Sequence, residues 1–118
     1  MLENSNEPAP KASQKNLVGG SLEVCSLDPV TGFMRDGYCH YSISDRGKHL
    51  VCAEVSATFL EYTKSKGNDL SSANPRYGFK GLKPGDRWCL CSSRVVQANR
   101  DGINVKIIKE STNEKAWE

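Results

Sequence analysis

His49-Leu50-Val51-Cys52-Ala53-Glu54-Val55-Ser56-Ala57-Thr58-Phe59-Leu60-Glu61-Tyr62-Thr63-Lys64-Ser65-Lys66-Gly67 is the stretch whose reading decides the fold. Val51, Ala53 and Val55 alternate with Leu50, Cys52 and Glu54, the period-2 pattern of a strand. Ser56 then stands where an N-cap hydroxyl is needed, and a helix over 57–66 turns Phe59, Leu60, Tyr62 and Thr63 inward. Lys64 and Lys66 suit the negative end of the helix dipole, and Gly67 supplies the left-handed residue that ends it. A single helix over 50–66 competes, because Cys52, Val55, Phe59 and Tyr62 also fit helical spacing. The cap at Ser56 and the β-branched Val51 and Val55 favour strand, then helix.

Toward the C-terminus, residues 87–91 read as a second strand. Trp88 and Leu90 lie on one face and Cys89 and Cys91 on the other, since strand side chains alternate. Ser92 or Ser93 is placed to cap a short helix to residue 100, closed by Asp101-Gly102. Residues 103–109 carry the plainest strand pattern of the chain, and Ser111 or Thr112 is expected to cap a last turn through Trp117. Toward the N-terminus, residues 17–47 are crowded with turn signals: Gly19-Gly20, Asp28-Pro29, Thr31-Gly32, Asp36-Gly37 and Asp45-Arg46-Gly47. Short strands are expected between them at 21–25 and, with better alternation, at 38–43. The sum is one α+β domain over 17–118, with a mixed sheet of three to five short strands, two or three helices and long Gly/Pro/Asp-rich loops converging on one side. Residues 1–16, with two Pro, three Asn and two Ser, bury too little to offset their ordering entropy and are expected to be a disordered tail.

With 118 residues, 16 Lys and Arg against 14 Asp and Glu, and a net charge of +2, the chain lacks the basic excess of a nucleic-acid or membrane-surface protein. No apolar run exceeds four residues, which excludes a spanning helix. The polar, acidic start carries no secretory or transit signal, and the five cysteines are an odd number. Reduced thiols in an intracellular, cytoplasmic protein are therefore expected.

Four motifs occur in order: Asp28-Pro29-Val30-Thr31-Gly32-Phe33 with Arg35-Asp36-Gly37; His49-Leu50-Val51-Cys52-Ala53; Gly67-Asn68-Asp69-Leu70-Ser71; and Gly81-Leu82-Lys83-Pro84-Gly85-Asp86-Arg87-Trp88-Cys89-Leu90-Cys91. Together they resemble the family of small soluble proteins known as domain of unknown function 2237, over about residues 17–116. The matching positions are Cys25, Asp28, Arg35, Asp36, Cys39, Asp45, His49, Cys52, Asn68, Asp69, Asp86, Arg87, Trp88, Cys89 and Cys91. The resemblance implies a stand-alone single domain and no assigned activity. The chain departs from the pattern at Asn113, where a His is usual after Thr112, and at Lys80, where a Pro is usual. A metal or catalytic duty for that His is therefore absent here.

Two kinds of chemistry remain. Cys39-His40, His49-x-x-Cys52 and Cys89-x-Cys91 supply soft ligands, and Cys39, His49, Cys89 and Cys91 form the set expected to hold a metal such as zinc. No Cys-x₂₋₄-Cys knuckle supports it, and packing in the core is the plain use of a cysteine. Arg35, Asp36, Asp86 and Arg87 are the groups expected to bind a small anionic ligand at the rim. The alternative is a small thiol-dependent enzyme using Cys39 or Cys52 with His49, and with Asp45 as the orienting acid. On a strand, His49 and Cys52 would face opposite ways, which weighs against that pairing. Cys39 or His49 is expected to lie beside Cys89 or Cys91.

Overall fold

The computed structural model describes residues 14–118. Its elements are a strand β1 (His49–Glu54), a helix α1 (Ala57–Ser65), a strand β2 (Arg87–Cys91), a helix α2 (Ser92–Arg100) and a two-residue strand β3 (Lys106–Ile107). Three short 3₁₀ turns accompany them at Pro75–Tyr77, Lys109–Ser111 and Glu114–Trp117. The sheet has the order β2-β1-β3 and both pairings are antiparallel, so the domain is α+β but its sheet is not mixed.

The boundary at Ser56 is as read: its hydroxyl accepts the Phe59 N–H at 3.0 Å, and α1 begins one residue later. At the other end Gly67 takes φ +92 and the chain turns away. The second helix differs in a way that matters below. It starts at Ser92, so Cys91 and not a serine occupies the N-cap, and the Cys91 side chain makes no capping bond to the helix.

The two faces of the sheet bury different materials. Val51 and Ala53 of β1 pair with Leu90 and Trp88 of β2, and these enter the main core with Phe59, Leu60, Val95 and Ala98 of the helices. On the opposite face Cys52 pairs with Cys89, and there the core is four buried cysteines with Ile108 packed against them. The N-terminal loop covers this face. Two disulfides, Cys25–Cys52 and Cys39–Cys89, tie it down, with Cα–Cα separations of 5.7 and 5.4 Å. The expectation of reduced thiols is thus corrected: an odd count left one spare, Cys91, and the other four pair. Sequence alone does not fix such connectivity.

Several expected strands dissolve into this covering loop. Residues 21–25 and 38–43 are irregular. Their backbone groups are taken by turns and side chains instead, as where Cys25 N–H donates to Gly37 O at 2.7 Å and Asp36 accepts the Tyr38 N–H at 3.1 Å. Of residues 103–109 only Lys106 and Ile107 pair with β1, at Glu54 and Ala53, the end of that strand. The last turn is capped by Asn113, whose side-chain oxygen accepts the Lys115 N–H at 3.0 Å, rather than by Ser111 or Thr112. Asn113 Nδ2 also donates to Cys39 O at 3.1 Å. At this position the amide is a buried brace between the C-terminus and the loop.

The tail expected over 1–16 lies outside the described residues as far as residue 13. Residues 14–16 belong to the body: Asn16 is buried, bridges to Asn113 and donates to Glu110 O at 3.0 Å. No described helix is long and apolar enough to cross a membrane.

Candidate functional site

A β-bulge builds the site. Between His49 and Val51 the register of β1 on β2 shifts by one residue, so that His49 rather than Leu50 stands opposite Cys91. Bulges re-aim a side chain in this way, and directly opposed residues share a face with Cβ atoms about 5 Å apart. Lys48, just before the bulge, has φ +49, a left-handed conformation that costs a non-glycine residue roughly 1–3 kcal/mol. That turn points the Lys48 carbonyl at the start of α2, where it accepts the Ser92 N–H at 3.0 Å.

His49 is held from behind. Its Nδ1–H donates to Asp45 Oδ1 at 2.7 Å, and its backbone N–H donates to Asp45 Oδ2 at 2.9 Å. The Asp45 side chain is 1% exposed, whereas that of His49 is 42% exposed. Because a carboxylate only accepts, Nδ1 is the protonated nitrogen of this bond, and in the neutral imidazole Nε2 is the one that keeps the lone pair. Phe33 stacks on the imidazole at 6.5 Å between centroids. The Cys91 thiol donates to Gly47 O at 2.8 Å, and a Cβ on Gly47 would come within 2.7 Å of His49 Cε1. Thiol and imidazole therefore both pack against Gly47. Gly47→Ala is expected to push the pinned ring aside and slow alkylation of Cys91 at least tenfold with little loss of stability; equal rates in the two proteins would separate the ring from the thiol.

Cys91 also occupies the amino end of a nine-residue helix. The first-turn N–H groups of a helix have no intrahelical partners, and together with the dipole they favour negative charge at this point. These residues open onto a cleft of about 790 Å³, lined also by Gly32, Arg35, Asp69, Tyr77, Phe79, Trp88 and Arg94. Phe79 and Trp88 meet at 5.2 Å, and the Arg35 guanidinium lies 5.2 Å from the Trp88 ring centroid. Arg35 has φ +55 and its Nη1 donates to Gly32 O at 2.6 Å, which fixes the head group while leaving other donors unused. Arg94 comes from the first turn of α2.

Asp69 adds a fixed negative charge. Hydrogen bonds from the Ser72 hydroxyl first, and from the Ser71 and Ser72 N–H groups and the Ser71 hydroxyl, hold its carboxyl down at about 2. A lowered folded value means that ionised Asp69 stabilises its loop above the unfolded value of 3.8, and that this contribution is lost as pH falls through about 2. Carboxyl NMR should show Asp69 titrating near 2. A midpoint at the ordinary 3.8 would mean that the serine-rich turn is not formed in solution.

Of the residues singled out from the sequence, the cleft gathers Arg35, His49, Cys89 and Cys91. Asp36 instead holds the ring of buried His40, Nδ1 to Oδ2 at 2.8 Å. Asp86 closes the turn before β2 by accepting the Lys83 N–H at 2.9 Å, and Arg87 faces Glu54 at the far end of that strand. Neither lines the cleft. The metal set of Cys39, His49, Cys89 and Cys91 loses two thiolates, because Cys39 and Cys89 are bonded to each other. The nucleophiles Cys39 and Cys52 are corrected for the same reason: disulfide-bonded, neither carries a thiol. The expected adjacency is present all the same, Cys39 against Cys89 and His49 opposite Cys91. What the sequence reading missed is Cys91 as the free thiol beside His49. Its signal was a cysteine closing a strand just ahead of a helix start.

None of the curated proteins matches the chain. A family model described as "Uncharacterized protein conserved in bacteria (DUF2237)" matches residues 15–118, from the first bridged residues of the body to the C-terminus, and the chain belongs to that family.

Proposed function

We propose that the cleft is a thiol-dependent site in which Cys91 is the nucleophile, His49 its base and Asp45 the group that orients the base. The observation that carries this reading is the placement of the one free cysteine at the amino end of α2, opposite an imidazole whose Nδ1 is committed to a buried carboxylate. This is the arrangement of a nucleophile beside a base that a third group orients; the thiol's hydrogen bond goes to Gly47 O at 2.8 Å, and it must turn from that carbonyl to reach the imidazole. In the reactive step His49 Nε2 takes the thiol proton, the sulfur bonds to an electrophilic carbon, and the imidazolium returns the proton to the leaving group. The Trp88 and Phe79 rings and the Arg35 and Arg94 guanidinium groups favour a small anionic substrate with a flat apolar part.

Iodoacetamide and its anionic analogue iodoacetate test the reading together. Cys91 should be modified by both faster than a cysteine in the denatured chain, with iodoacetate gaining more. Arg35→Gln should remove that preference and leave iodoacetamide unaffected. A Cys91 that reacts no faster than the denatured chain's thiols would overturn the assignment.

A further inference from the structure

The four cysteines beneath the sheet are a second, separate chemical feature. The sulfurs of Cys25, Cys39 and Cys89 lie within 4.8 Å of one another, and Cys52 is bonded to Cys25. All four residues are at most 4% exposed. A tetrahedron with Zn–S bonds of about 2.3 Å has edges of about 3.8 Å, so the three grouped sulfurs stand near that spacing, and the Cys52 sulfur, outside the group, has to swing toward them when its bond to Cys25 opens. We propose that the reduced chain binds one zinc ion through Cys25, Cys39, Cys52 and Cys89, in a closed site that replaces the two disulfides.

The backbone is prepared for this independently of the S–S bonds. Cys52 N–H donates to Thr112 Oγ1 at 3.0 Å and Cys89 N–H to Thr31 Oγ1 at 2.9 Å. Cys25 N–H donates to Gly37 O at 2.7 Å, and Cys39 O accepts from Asn113 Nδ2 at 3.1 Å. Each cysteine thus keeps an anchor that reduction leaves in place. Two ligands come from paired strands, and the other two from the irregular loop that covers them. The need for a staple is equally plain, because among the described residues Ile108 is the one hydrophobic side chain packed against the sulfurs. Small loop-rich bodies are closed either by disulfides or by a structural metal. The choice follows the compartment, since disulfides persist where it is oxidising and thiols where glutathione and thioredoxin act.

The conversion balances. Each disulfide takes two electrons and two protons from a dithiol reductant, giving two cysteine thiols and the reductant's own disulfide. Zinc then binds four thiolates and releases four protons, so binding strengthens as pH rises.

The test is an anaerobic titration of the full chain, reduced with a trialkylphosphine, using Co²⁺ as a coloured stand-in for zinc. One equivalent should saturate the intense visible bands of tetrahedral thiolate cobalt, and Zn²⁺ should bleach them. The oxidised chain should show none. Cys91→Ser should titrate unchanged, while Cys52→Ser should lose the signal. If reduction alone loosens the fold, zinc should restore the far-ultraviolet circular dichroism. Absence of stoichiometric cobalt bands, loss of them in Cys91→Ser, or failure of zinc to restore a loosened fold would each overturn the proposal. Alkylation of Cys91 in the oxidised chain is unaffected by any of these results, so the cleft stands or falls separately.

Discussion

Replacing both Cys39 and Cys89 by Ala is expected to lower the stability of the oxidised protein by about 4 kcal/mol. The bond spans 50 residues, and the loss of loop-closure entropy for a loop of that length is about 4 kcal/mol in the chain-entropy model. For a domain of this size that is roughly 15–25 °C in melting temperature. The Cys25–Cys52 bond spans 27 residues and its removal should cost slightly less, about 3.5 kcal/mol. The two losses should not add, because the bonds share one packed cluster and one covering loop. Denaturant melts of the two double variants and the quadruple variant, without reductant, supply the numbers. A loss below about 1 kcal/mol for the Cys39–Cys89 pair would mean that this bond does not hold the loop in solution.

His49→Ala should slow alkylation of Cys91 by about 100-fold or more at neutral pH, the lower range for a positioned general base. Asp45→Asn should slow it less. An amide still reaches the imidazole, but it is able to donate to Nδ1 and so favours the tautomer with the proton on the wrong nitrogen. The pattern separates a working base from a merely structural histidine: His49→Ala should regain rate with added imidazole, whereas a packing defect would not be rescued. Stopped-flow alkylation followed by mass spectrometry of the Cys91 peptide makes the measurement. Equal rates in wild type and His49→Ala would remove His49 from the mechanism.

The parts of the fold that were legible are those decided by local chemistry. Ser56 had a strand behind it and an apolar helical face ahead, and both elements lie where that pattern puts them. The alternation of Trp88 and Leu90 against Cys89 and Cys91 separated the two cores correctly. What could not be read was decided by contacts distant in sequence. The alternation at 38–43 is real, but Cys39 is committed to β2 through its sulfur and Asp36 and Asp45 organise the backbone on either side, so no ladder forms. Residues 103–109 have the right pattern, but 103–105 run past the end of β1 at Glu54, and after Ile108, whose N–H still donates to Cys52 O at 2.8 Å, the turn at Lys109–Ser111 leads the chain away. For the proposed site, the pairing of His49 with Asp45 was legible from their four-residue offset. The thiol partner of His49 was not, since opposing His49 to Cys91 takes a one-residue register shift that leaves no mark in composition or period.

That register shift also divides the strand into two parts with different tolerances to change. From Val51 to Ala53 every side chain of β1 is clamped by the core or the sulfurs, and a change in length there would invert the whole sheet. Upstream of it, the extra residue of the bulge falls at His49–Leu50: Leu50 enters the hydrocarbon core while His49 turns to face Cys91. Removing that extra residue would empty a core position as well as misalign the imidazole, so straightening the strand should cost stability and alter the cleft together.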